Sequence, residues 1–252
     1  MKYALQQKGY GLGNFIMLTP ALRLLNKKVN VFFESKNISS LFRDCPFINT
    51  LNSKPKGKPF ITSEKPKRAK GESDIRAYCR KISKYAPKLL PNTYVDKCND
   101  MPLLKEDDIK YVAMFHGCLG PIFRKRKNLD VDVRQMMIDK VIERGHIPVL
   151  LGSAADNKHF WHENNTDGCV NYLGQISLRE SVSILNQCDF FVSNDTGLYH
   201  VAGALEKNGL VMWYKTDITK NMCLFNGIEH IQSIKRNKDV YEESLDRFLE
   251  KQ

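Results

Sequence analysis

Short apolar runs of strand type alternate with helical stretches along both halves of the chain. In the second half, residues 111–115, 148–151, 190–193 and 210–213 are such runs, and 178–187 carries an amphipathic helical pattern between two of them. In the first half, 3–6 and 29–33 read as strands, while 15–25 and 39–43 read as helices. Residues 74–84 form a further helical pattern, with Ile75, Tyr78, Cys79 and Ile82 on one face and Arg76, Arg80, Lys81 and Lys84 around it. A closing helix is expected over 240–249. Strands alternating with helices imply parallel sheets that bind ligands at the carboxyl ends of their strands.

The stretch 188–205 is the most informative of these, because it reads as strand, sharp polar turn, then helix. Asn194 and Asp195 can cap the helix, Gly197 permits close backbone approach, and His200 follows one turn in. Unpaired amides and the positive end of the helix dipole at such a turn favour a phosphate or diphosphate; taken alone, the same residues also serve as a plain polar connection. Gly152-Ser153 and Thr216-Asp217 fall at the ends of neighbouring strands. Near the amino terminus, Gly9-Tyr10-Gly11-Leu12-Gly13 makes a tight strand-to-helix turn. Asn14 and Ile16 stand where a dinucleotide fingerprint would need glycine, which argues against a nicotinamide-dependent dehydrogenase.

Four motifs carry a family resemblance. Gly152-Ser153-Ala154-Ala155-Asp156, Leu173-Gly174-Gln175-Ile176-Ser177-Leu178 and Ser193-Asn194-Asp195-Thr196-Gly197-Leu198-Tyr199-His200 resemble, in that order, glycosyltransferase family nine, the lipopolysaccharide heptosyltransferases. The stretch 11–22 is similar to that family's first loop and helix, whereas residues 40–105 show no match. The resemblance implies an α/β fold of the GT-B type, with two Rossmann-like lobes, parallel sheets and an interlobe cleft. Residues 1–107 would form the acceptor-binding lobe and 108–252 the nucleotide-sugar-binding lobe. The final helix would pack back on the first lobe, and closure about 105–109 would exclude water.

The composition suits two compact lobes: 252 residues, 42% of them apolar, can form real cores. No membrane span or leader sequence is apparent, and seven cysteines without a Cys-x-x-Cys pair suggest reduced thiols in a cytoplasmic protein, expected to be a monomer. The cluster His159, His162, Glu163 reads as solvent-facing, so no metal is expected. Charge is unevenly spread. Between 54 and 88, twelve Lys or Arg face three acids, a net of +9 beside the whole chain's +11. Such a field attracts anions, and Lys65, Lys67, Arg68, Lys70, Arg76 and Arg80 are the candidate acceptor contacts; a solvated loop is the plainer reading. A second basic cluster spans 124–127.

Sugar transfer needs cationic or N–H groups at the departing diphosphate. By resemblance, the Thr196 and Gly197 amides, the Thr196 hydroxyl, Asn194, Asp195, His200 and Arg126 or Lys127 supply the phosphate site. Gly117 would approach another phosphate oxygen, Gly152, Ser153 and Ile176 would border base and ribose, and Gly11, Gly13 and Thr216 complete the donor set. The donor is a nucleotide-sugar co-substrate, with no other cofactor, and inversion of configuration also comes from the resemblance. The acceptor hydroxyl needs a base. The family's first loop usually has Asp where this chain has Asn14, so Asn14 orients the acceptor, and Glu34 or Asp74 is the candidate base. A short chain, basic clusters on both lobes and a basic segment without an apparent apolar membrane-docking surface favour hydroxymethylated cytosine in DNA as acceptor. Lipopolysaccharide core or another glycan is the alternative, and an inactive nucleic-acid-binding protein on the same scaffold a third reading.

Overall fold

The computed structural model describes residues 2–7, 11–83, 90–103, 105–117, 126–235 and 237–252. Gly9, Tyr10, Lys84, Lys88, Arg124 and Lys125 lie outside them.

The first sheet comprises β1 (Ala4–Gln6), β2 (Val29–Phe33), β3 (Ile48–Leu51) and β4 (Ile61–Thr62) in the order β3-β2-β1-β4, all parallel. The helices α1 (Leu12–Arg23) and α2 (Lys36–Ser39) fall among these strands, and α3 (Asp74–Ser83) follows them. β3 and β4 lie in the stretch without sequence signal. β4 has two residues, and Ile61 alone of them is buried, so no periodicity marks it.

The second sheet has six parallel strands in the order β10-β9-β8-β5-β6-β7. They are β5 (Tyr111–Phe115), β6 (Ile147–Leu150), β7 (Val170–Asn171), β8 (Phe190–Asn194), β9 (Gly209–Trp213) and β10 (Ile228–Gln232). Connecting or flanking them are α4 (Val131–Glu143), α5 (Ala154–His159), α6 (Leu178–Gln187), α7 (Gly197–Ala204), α8 (Ile218–Asn221) and α9 (Lys238–Leu249). Every residue of β5, β8 and β9 is buried, which is why these strands read as apolar runs, Ser193 and Asn194 at the end of β8 excepted. Their side chains alternate between two cores. Tyr111, Ala113, Phe115, Phe191, Val211 and Trp213 face a large core shared with the first lobe, while Val112, Met114, Phe190, Val192, Leu210 and Met212 face a second core on the other side.

Strand order positions the ligand crevices. In an open parallel sheet, ligands bind where the order reverses: between β1 and β4 in the first sheet and between β5 and β8 in the second. Helix α1 joins the lobes at these points, packed between α3 and α7. Its burial on most sides fits its nearly continuous apolar sequence. Pro20 inside α1 cannot donate to Ile16, and the Thr19 hydroxyl donates to the Ile16 carbonyl instead at 2.7 Å.

One expectation is corrected. Helix α9 does not pack on the first lobe. Tyr241, Leu245, Phe248 and Leu249 complete the second lobe's outer core with Val133, Met137 and Val141 of α4. The Tyr241 hydroxyl donates to the Trp213 carbonyl at 2.6 Å, with the Ser233 carbonyl 3.2 Å away, and Lys140 pairs with Glu242 and Asp246 at 3.0 and 3.1 Å. Its apolar face is used up inside one lobe. The stretch leading into 105–109 is tied to the second lobe: Lys105 pairs with Asp189 at 2.8 Å, the Leu103 amide donates to the Gln187 side chain, and the Met101 amide to Ser183. Arg179 of α6 adds a polar tie between the lobes: its guanidinium pairs with Asp100 at 2.6 Å, donates to the Ser40 carbonyl at 2.5 Å and lies 3.6 Å from the buried Asp96.

Candidate active site

A cavity of about 390 Å³ opens at the carboxyl ends of the second sheet's strands. Gly117 after β5, Gly152 and Ser153 after β6, Ile176 before α6, and Thr196 and Gly197 at the start of α7 line it, and Leu12 and Asn37 close it from the first lobe. The helices around it differ in one respect. Ser153 caps α5 in a reciprocal box with Asp156, and Ser177 caps α6 in the same way with Glu180. Helix α7 has no side-chain cap: Thr196 stands at its N-cap without a cap hydrogen bond, and the Thr196 hydroxyl is buried without a partner. The leading amides of α7 are thus left to a ligand, with the helix dipole behind them. Gly117, at φ +152°, needs glycine twice over, since a Cβ there would also collide with Asp156.

Beside the cavity, ions from both lobes converge. Asp195, after β8, pairs with Lys127 at 2.8 Å. Asp74, at the start of α3, pairs with Arg68 at 2.9 Å and lies 4.0 Å from Lys65. Both carboxylates are almost fully buried, and neither has a hydrogen-bond partner beyond these ions. Burial pushes the Asp74 carboxyl above the ordinary range; Lys65 and Arg68 oppose this, and Asp195 across the lobe boundary adds to it. Burial lowers the Lys65 ammonium, against the pull of Asp74. Three cations and two carboxylates leave the cluster with one excess positive charge, in a place where charge is weakly screened. Among the described residues, no group of three or more His, Cys, Asp or Glu could hold a metal ion.

The cleft therefore offers an uncapped helix terminus to an anion, a cavity of nucleoside size beside it and a buried carboxylate opposite. A family model for glycosyltransferase family 9 (heptosyltransferase) matches residues 100–247, more than half of the chain. The chain belongs to glycosyltransferase family 9. It is 25% identical over 183 residues to lipooligosaccharide heptosyltransferase 2 of Haemophilus influenzae, covering 58% of this chain and 53% of that protein. It is 30% identical over 116 residues to lipopolysaccharide heptosyltransferase 2 of Escherichia coli, covering 44% of this chain and 32% of that protein. These matches span about half the length of the curated relatives or less. Among solved structures, the E. coli ADP-heptose lipopolysaccharide heptosyltransferase II superposes with a TM-score of 0.73 at 17% identity, over 100% of this chain and 99% of that one. The E. coli heptosyltransferase WaaC with ADP gives 0.69 at 14%, with the same coverage. The fold is GT-B.

In this family 9 chain, several candidate residues have other duties. His200 does not line the cavity. It is 4% exposed, lies against Gly13 of α1, where a Cβ would collide with its ring, and stacks on Tyr199 at 4.7 Å. Burial lowers its pKa to about 4, so it is a neutral lobe-to-lobe contact at pH 7. Asn194 accepts from the Gly117 amide at 3.4 Å and donates to the Lys127 carbonyl at 3.0 Å, bracing the stretch between them. The Ser153 hydroxyl is bound to Asp156 at 2.7 Å. Gly11, exposed at the N-cap of α1, Arg126 and Thr216 stand outside the cavity lining, as does half-buried Asn14. Glu34 pairs with Lys54 at 3.1 Å and does not line the cavity either. The expected basic acceptor face is partly internal structure: Arg68 and Lys65 serve Asp74, and Arg80 holds Glu72 at 2.8 Å and the Lys67 carbonyl at 3.0 Å. Lys67 and Lys70 remain exposed, and Arg76 is half-buried on α3.

Sequence reasoning missed His116 and Asp156, which both line the cavity. The His116 Nε2 accepts from the Leu129 amide at 2.9 Å, which places the ring proton on Nδ1, and burial keeps the imidazole neutral. Its position just after a buried strand and before Gly117 was the available signal. Asp156 stood inside a quoted motif, but its reciprocal cap with Ser153 is visible only in three dimensions.

Proposed function

We propose that this chain is a nucleotide-sugar-dependent glycosyltransferase that moves a heptose-type sugar from an ADP-linked donor to a saccharide hydroxyl of a lipopolysaccharide-like acceptor. The observation that carries the reading is the uncapped amino terminus of α7, with its orphaned Thr196 hydroxyl, at the point where the strand order reverses. The names of the relatives favour the saccharide acceptor, and none of those reported supports hydroxymethylated DNA.

The donor diphosphate lies over the Thr196 and Gly197 amides, with the nucleoside in the cavity toward Gly152 and Ile176. As the anomeric carbon–oxygen bond breaks, the diphosphate gains charge, and the fixed amides and Lys127 stabilise it without reorganising. Opposite, Asp74 takes the proton of the acceptor hydroxyl as its oxygen attacks the anomeric carbon. Asn14, an amide, cannot take that proton. Of the carboxylates near the cleft, Asp195 is held by Lys127, Asp156 by Ser153 and Glu34 by Lys54; Asp74 is paired too, with Arg68, but its burial outweighs that pull and raises its basicity.

The test is incubation with a panel of nucleotide sugars, ADP-heptose included, and two acceptors, truncated lipopolysaccharide and hydroxymethylcytosine-containing DNA, with product masses recorded. A heptose increment on the saccharide supports the reading. An increment on DNA, or no transfer from any donor, overturns it.

A further inference from the structure

At the end of the first lobe away from the cleft, the fold assembles a surface that the sequence scatters over eighty residues. A groove of about 570 Å³ runs past Lys2 before β1, Lys27 and Lys28 before β2, Phe60 before β4, and Lys81 and Ile82 at the end of α3. No acid lines it. All four lysines are exposed, and none makes an ion pair or side-chain hydrogen bond among the described residues. This sets them apart from Lys65, Arg68 and Arg80, which are engaged by Asp74 and Glu72. At the groove lies Phe60, 43% exposed, the one exposed large apolar side chain among the described residues of the first lobe. Its amide donates to the Tyr3 carbonyl at 3.0 Å, which fixes its backbone at the sheet edge.

We propose that this face docks the protein on an anionic phospholipid bilayer, with the four lysines on the headgroups and Phe60 entering the interface. Two observations select a lipid surface over a nucleic acid or an acidic protein. Four unpaired cations call for a polyanion, and an aromatic ring held out among them, beside partly buried Leu25 and Ile82, calls for apolar contact in the same footprint. A free phosphate would satisfy the lysines and leave the ring in water. The inference deepens the glycolipid reading given above and supplies a geometry for it. Helix α1 runs from Leu12 at the cleft to Arg23, two residues before Leu25 in the groove, so a helix of twelve residues, roughly 18 Å long, separates the two. An acceptor anchored in the bilayer and carrying several sugars spans that height.

The experiment is flotation of the full chain with vesicles of phosphatidylcholine alone or with 30% phosphatidylglycerol, about 100 nm across, without sugar nucleotide, so that the result is independent of catalysis. Binding is expected only with the anionic lipid, and is expected to disappear at high salt, because the Debye length shrinks to about 3 Å at 1 M. Each lysine near such a surface is worth roughly fivefold in partition, so replacing Lys2, Lys27, Lys28 and Lys81 with Gln should weaken binding by at least a hundredfold at low salt. Phe60→Ser should weaken vesicle binding several-fold while leaving retention on heparin unchanged. ADP titration and circular dichroism on each variant guard against misfolding. Transfer to a soluble, delipidated acceptor should be unchanged in the lysine variant, while transfer to the same acceptor in anionic vesicles should fall. Failure of the wild type to float, equal binding by the lysine variant, or Phe60→Ser lowering heparin and vesicle binding alike would each overturn the proposal. None of these outcomes would touch the donor site.

Discussion

Replacing Thr196 with Val separates the ligand site from the fold. The two side chains are nearly isosteric, and the Thr196 hydroxyl bonds to nothing in the protein despite its burial. Its removal therefore breaks no internal hydrogen bond and relieves an unsatisfied polar atom, a penalty of about 1–3 kcal/mol in other proteins. Stability should hold or rise by about 1 kcal/mol, which for a chain of this size is roughly 2–4 °C in Tm. Ligand affinity should move the other way. A hydroxyl donating to a charged phosphate oxygen is worth about 1.5–3 kcal/mol, so ADP should bind on the order of 10- to 150-fold more weakly. Calorimetric titration with ADP and a thermal melt of the same samples make the measurement. A variant that melts several degrees lower yet binds ADP normally would mean that Thr196 is an ordinary N-cap, and the reasoning about α7 would be wrong.

Three further outcomes are expected. Asp74→Asn should lower kcat by about 10²–10⁴ and leave ADP affinity within about twofold; because burial holds the native carboxyl high, the wild-type rate should rise with pH through a value above the ordinary carboxylate range. The fold should be sensitive to acid through His200: its folded pKa of about 4 lies below the unfolded value, so the unfolded chain binds the proton first, and stability falls as pH drops from about 6.5 to 4, by about 3 kcal/mol in all. His200→Leu should flatten that part of a Tm-against-pH curve, and an unchanged slope would assign the sensitivity elsewhere. Tyr241→Phe removes the buried hydrogen bond that α9 donates to the Trp213 carbonyl and should cost about 1–2 kcal/mol by denaturant titration without changing ADP affinity.

The parts legible in the sequence were those written locally. β5, β8 and β9 are buried on both faces, so their residues are apolar apart from Ser193 and Asn194 at the ligand end of β8, and the strand-turn-helix order around Asp195-Thr196-Gly197 identified the ligand end of the sheet. Gly117, Gly152, Ile176, Thr196 and Gly197 meet around one cavity because each follows a strand or precedes a helix there. The illegible parts depend on partners far away in the chain. β4 and β7 are two-residue edge strands held by neighbours, and α9 could have covered either lobe until its Tyr241-Leu245-Phe248 face met α4. The charge of the basic segment looked free because Asp74 is its own internal counterion, and His200 looked like a phosphate ligand because nothing in the sequence places Gly13 against it.

The most direct measurement is a crystal structure with ADP bound. The account predicts the diphosphate over the start of α7, an oxygen within hydrogen-bond distance of the Thr196 or Gly197 amide, and the nucleoside extending toward Gly152 and Ile176. A nucleotide seated elsewhere, or an α7 terminus left unoccupied at saturating ADP, would contradict it.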